Sequence, residues 1–107
     1  MVRLSEHPRY WNCTNNTRLR KMHEHNPHCI WCGILTVFHS EHCSPQPDNL
    51  ATTEHIFTKK DSRRKRHNRP AFIALACHQC NNERGDMSLE TFCKIKGIMI
   101  DYNYVYY

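Results

Sequence analysis

The sequence predicts one small α+β domain, and three observations carry that expectation. At 107 residues the chain is long enough for one core and too short for two. Short runs rich in β-branched and aromatic residues alternate irregularly with stretches that carry helix caps and helix stops. Hydrophobic residues make up only 39% of the chain, and seven cysteines and nine histidines accompany them. A core that thin needs support beyond apolar burial, and this composition points to a bound metal as the support.

The elements follow in chain order. Thr14 or Asn15 is placed to N-cap a short helix running to about Glu24, which His25-Asn26-Pro27 ends. Cys29-Ile30-Trp31-Cys32-Gly33 is a CxxC followed by a glycine, and Ile34 to Phe38 then reads as a strand. His39 to Asn49 carries two prolines and reads as a loop, and Leu50 to Phe57 as a second strand. Lys59 to Arg69 has seven Lys or Arg and no apolar side chain, so it is expected to be a solvated loop. Phe72 to Ala76 is a third short strand leading into Cys77-His78-Gln79-Cys80, with Asn81 to Arg84 continuing as helix up to Gly85. Ser88 caps a last helix from Leu89 to about Lys96, and Gly97 ends it. The tail from Ile98 to Tyr107 reads equally as a strand or as a cover over the core.

Composition narrows the functional classes. No apolar run approaches the ~18 residues of a membrane span. MVRLSEHPRY carries no apolar stretch suited to a secretory signal, so a cytoplasmic chain with reduced thiols is expected. An odd number of cysteines agrees, since seven thiols cannot all pair within one chain. The net charge of +5 favours an anionic partner.

Cys29 with Cys32 and Cys77 with Cys80 form two CxxC pairs. Each pair turns two thiolates toward one point, and two such knuckles make a tetrahedral four-sulfur site suited to Zn²⁺. A thioredoxin-type redox pair is the rival reading, but no βαβ pattern surrounds either CxxC. Cys13, Cys43 and Cys93 are expected to be ordinary thiols, and His39-Ser40-Glu41-His42-Cys43 is a lesser candidate for a second metal. The interval from Gly33 to Ala76 is more than twice the ~15–20 residues of a simple zinc ribbon. The metal would therefore clamp the base of a functional insertion.

That insertion contains Thr53-Glu54-His55-Ile56, and Asn81 directly follows the second knuckle in ACHQCNNERGD. A CxxCG, an acid-His pair ending a strand, and a short strand into A-C-x-x-C-N-x-x-(K/R)-G resemble the zinc-containing HNH endonucleases. These have the ββα-metal, or His-Me finger, fold, and free-standing members of this size are carried by phages and mobile elements. The resemblance spans Cys29 to about Met87. It implies that His55 is the general base, that Glu54 and Asn81 hold a catalytic divalent ion, and that Cys29, Cys32, Cys77 and Cys80 hold structural zinc. Two departures stand out. Glu54 stands where the family usually has Asp, and Phe72 stands where its middle Asn usually lies, with Asn68 a substitute from further upstream.

The chemistry behind this expectation is general. A neutral imidazole with a pKa near ~6.5 is suited to deprotonating water at neutral pH. A carboxylate and an amide oxygen are hard ligands that favour Mg²⁺ or Mn²⁺ and leave positions open for phosphate. Adjacent strand residues point to opposite faces, so Glu54 and His55 serve one site only if the strand ends or bends there. Between base and amide lie Lys59, Lys60, Arg63, Arg64, Lys65, Arg66 and Arg69, and with Arg84 these are the expected contacts to DNA phosphates.

The resulting expectation has three parts: a polar, helical extension over 1–28, an HNH nuclease domain over 29–97 and an aromatic tail over 98–107. Its function would be metal-dependent endonuclease action on double-stranded DNA, of nicking or homing type, by a monomer or homodimer. The main alternative is a zinc-finger nucleic-acid-binding module without catalysis. A zinc-held protein-interaction domain comes third, because it gives the basic loop no purpose.

Overall fold

A computed structural model describes residues 15–38, 47–58 and 72–106. The basic run Lys59, Lys60, Arg63, Arg64, Lys65, Arg66 and Arg69, together with Asn68, Cys13 and the His39–Cys43 cluster, lies outside the described residues.

The chain is an α+β structure built on a two-stranded antiparallel sheet. Helix α1 spans Asn15–His25, strand β1 Ala51–His55 and strand β2 Ile73–Cys77. Helix α2, His78–Arg84, continues β2 without a break, and helix α3 spans Leu89–Lys96. A 3-10 turn, Tyr102–Tyr104, follows α3. The sheet register pairs Ala51 with Cys77 and His55 with Ile73.

All five residues of β2 are buried, because this strand is covered on every side. β1 pairs along one edge. On the other, Tyr106 exchanges two backbone hydrogen bonds with Ile73, and the Ile30 N–H donates to the Leu75 carbonyl at 2.9 Å. The pleat then divides the core in two. Ala51, Ile73 and Leu75 meet Leu19 and Met22 of α1 and Tyr106 of the tail. Ala74 and Ala76 meet Cys29, Trp31, Phe92 and Val105 on the other face. Both flanking segments, α1 and the tail, thus contribute side chains to the core.

Helix α3 follows from its local chemistry. The Ser88 hydroxyl accepts from the Thr91 N–H, Glu90 sits in the first turn, and Lys94 and Lys96 sit in the last. Gly97 then closes the helix in the left-handed region at φ 68°, which glycine enters at least cost. The expected strand over Ile34–Phe38 is reduced to isolated bridges. Leu35 pairs with His28, and Val37 pairs in parallel with Leu50. Leu35 and Val37 thus serve two different partners, so no continuous ladder forms.

Candidate metal centre

Cys29, Cys32, Cys77 and Cys80 bring their sulfurs within 4.8 Å of one another. The first two sit on the turn before Gly33, whose N–H donates to the Cys29 carbonyl at 3.0 Å and whose φ of 77° lies where glycine is favoured. The second two straddle the junction of β2 and α2, where the Cys77 sulfur accepts the Cys80 N–H at 3.4 Å and acts as the helix cap. On the first turn, the Trp31 N–H donates to the Cys29 sulfur at 3.3 Å. A tetrahedral ion with bonds of about 2.3 Å to sulfur separates its ligands by about 3.8 Å. Cys32 and Cys77 stand at 3.8 Å.

The donor set fits a dication on chemical grounds as well. Burial, with the Cys29 sulfur nearby, pushes the Cys77 thiol up to about 11 and the Cys80 thiol higher still. Burial acts against the Cys32 thiolate too, but the Ile34 N–H and the three neighbouring sulfurs hydrogen-bond it and bring its pKa below the ordinary value. Four sulfurs this close cannot all ionise alone, and a dication among them supplies the missing charge. The four cysteines are positioned to hold a metal ion, and their donors are consistent with structural zinc.

The strand end beside this centre departs from expectation. Glu54 is 6% exposed and turns toward the cysteine side of the sheet. Its Oε2 accepts the Trp31 indole N–H at 3.1 Å, and its Oε1 lies 3.3 Å from Nη1 of Arg84. Burial raises its pKa, and the Arg84 charge and the Trp31 hydrogen bond pull the other way. Both oxygens are engaged in the interior, so Glu54 does not fit a ligand for catalytic Mg²⁺ or Mn²⁺. The expectation is corrected: this acid ties the metal turn to β1. The reason is the strand pleat, which sends Glu54 inward and its neighbour outward.

Arg84 requires the same kind of correction. It is 1% exposed and stacks over the Trp31 ring at 5.1 Å. Its Nε donates to the Met87 carbonyl at 3.0 Å, Nη1 to the His55 carbonyl at 2.8 Å and Nη2 to the Ile56 carbonyl at 2.5 Å. A guanidinium this enclosed does not reach a DNA phosphate. Its role, and that of Trp31, escaped the sequence reading, although an Arg in the A-C-x-x-C-N-x-x-(K/R)-G pattern and a Trp inside a CxxC were both visible.

His55 is exposed at the last position of β1, and the chain bends at Ile56 and Phe57 directly after it. Asn81 is half-buried on the first turn of α2. Its side-chain nitrogen donates to Thr52 Oγ1 at 3.1 Å and to the Thr53 carbonyl at 3.4 Å. The structure therefore brings Asn81 onto β1 upstream of His55 and brings Glu54 to Trp31 and Arg84. No helix among the described residues is long and apolar enough to cross a membrane. Compared with known families, curated proteins and solved structures, the chain matches none.

Proposed function

We propose that the chain is a DNA endonuclease of the HNH kind, stapled by zinc at Cys29, Cys32, Cys77 and Cys80. One observation carries the reading. An antiparallel hairpin runs through a four-cysteine centre straight into a helix, and that helix returns Asn81 to the strand that ends in His55. This is the ββα order that the sequence resemblance implies.

In this reading His55 is the general base. It stands at an exposed strand end, where a neutral imidazole accepts the proton of a water attacking phosphorus. Asn81 braces β1 from the helix through its amide nitrogen. Its amide oxygen has no hydrogen-bond partner among the described residues, which suits it to a polar contact at the site. The lysines and arginines between Lys59 and Arg69 neutralise backbone phosphates. Glu54 contributes by fixing the strand.

The test is supercoiled plasmid incubated with zinc-loaded protein and Mg²⁺, Mn²⁺ or no added divalent ion. Relaxed or linear product from the natural chain, absent with His55→Ala at unchanged fold and zinc content, is the expected result. Full activity of His55→Ala would refute the assignment.

A second reading, a zinc-held module that binds DNA without cutting, draws on a specific observation. The carboxylate that the family resemblance would place on a catalytic ion is instead paired with Arg84. Salt-sensitive DNA binding with no cleavage under any metal would favour it.

A further inference from the structure

Arg84 gathers its hydrogen bonds where β1 ends. In an extended strand successive carbonyls point in opposite directions, yet one guanidinium holds the carbonyls of both His55 and Ile56. That grip requires the backbone to turn between the two residues, and the bend at Ile56 and Phe57 follows. The direction of the His55 side chain depends on the same backbone angles.

The guanidinium is itself fixed from three sides. Glu54 supplies the counter-charge at 3.3 Å, the Trp31 ring supplies a face at 5.1 Å, and the Met87 carbonyl accepts from Nε. Trp31 lies between Cys29 and Cys32, so the platform under Arg84 is the metal turn. A contiguous set of contacts therefore runs from the four-cysteine centre through Trp31 and Arg84 to the backbone of His55.

We propose that Arg84 is a positioning residue for His55, its planar fork holding two consecutive carbonyls so that the imidazole is presented outward at the angle hydrolysis requires. This rests on the nuclease reading. Lysine retains the charge beside Glu54, but its single ammonium cannot reproduce the rigid fork.

The experiment compares zinc-loaded natural protein with Arg84→Lys in two assays. In single-turnover plasmid nicking, the variant is expected to lose about 100-fold in rate, the scale of an ångström-sized misplacement, with half-saturating protein changed by less than about 2-fold. In ¹H–¹³C spectra at fixed pH, with His55 assigned through His55→Gln, the His55 ring signal is expected to shift. Those of His23, His28 and His78 are expected to stay. Nicking within about 3-fold of the natural chain, or an unmoved His55 signal, would overturn the proposal. Should Arg84→Lys lose its zinc, Arg84→Met in a Glu54→Gln background carries the test, read against Glu54→Gln alone, because the comparison removes only the carbonyl contacts of the fork. A His55 signal displaced by the added Arg84→Met supports the proposal, and an unmoved one overturns it. A natural chain that fails to nick DNA refutes the nuclease reading, and the spectra then decide alone whether Arg84 sets His55.

Discussion

Replacing Glu54 by alanine should be among the costliest single changes in this chain. The side chains of Glu54 and Arg84 are 7% and 0% exposed, so neither charge has water to turn to. Removing one partner of such a pair typically costs about 3–5 kcal/mol. Arg84 would keep its three carbonyl acceptors, which places the loss near the lower end. The Trp31 indole N–H, which Glu54 now accepts, would add its own penalty within that total. With a urea slope of about 1.5 kcal/mol per M, a loss of about 3 kcal/mol lowers the midpoint by about 2 M. Glu54→Gln keeps an acceptor for Trp31 and should cost about 1–2 kcal/mol. The double change Glu54→Leu with Arg84→Met removes both charges together and should cost well below the sum of the singles, a coupling of about 2 kcal/mol. Urea unfolding followed by circular dichroism, with zinc in excess throughout, measures all of these. A midpoint change below about 0.5 M for Glu54→Ala, or strict additivity in the double variant, would refute the reasoning.

Two further outcomes concern the metal and the tail. Structural zinc contributes an apparent ~10–16 kcal/mol, as much as the whole net stability of a small domain, so stripping it with a strong chelator should unfold the chain. Near-ultraviolet dichroism should collapse, and the four sulfurs should become reactive to a thiol reagent; an unchanged urea midpoint would contradict this. Burial pushes the Tyr106 phenol up to about 12 from an ordinary 10. The folded chain therefore holds this proton where the unfolded chain releases it, and stability should fall as pH rises from 10 to 12. Tyr106→Phe should flatten that part of the stability curve, and an equal slope in both proteins would remove Tyr106 as the cause.

What could be read from the residues, and what could not, divides along the range of the forces involved. The caps of α3 are local chemistry, and Ser88 and Gly97 bound the helix where the sequence implies. The four-cysteine centre was equally legible, because two CxxC spacings carry their own turn geometry. Helix α2 begins earlier than Asn81, at His78, because the Cys77 sulfur serves as its cap, a role that spacing alone does not announce. Arg84 misleads because charge predicts exposure, whereas its burial depends on Glu54, Trp31 and the His55 and Ile56 carbonyls arriving from distant parts of the chain. For Glu54 the warning was present in the pleat itself, since a strand cannot turn two neighbours the same way. The tail's role was undecidable locally: only the edge of β2 that β1 leaves unpaired gives Tyr106 its place.

Trp31 holds an unusual station, since from within the CxxC turn one indole meets an acid, a base and the Phe92 ring at 5.0 Å. Positions 31, 54, 84 and 92 are therefore expected to change together. Drift at any of them leaves the others maladapted, so descendants that lose the indole should lose both charges in the same lineage and refill the space with aliphatic bulk.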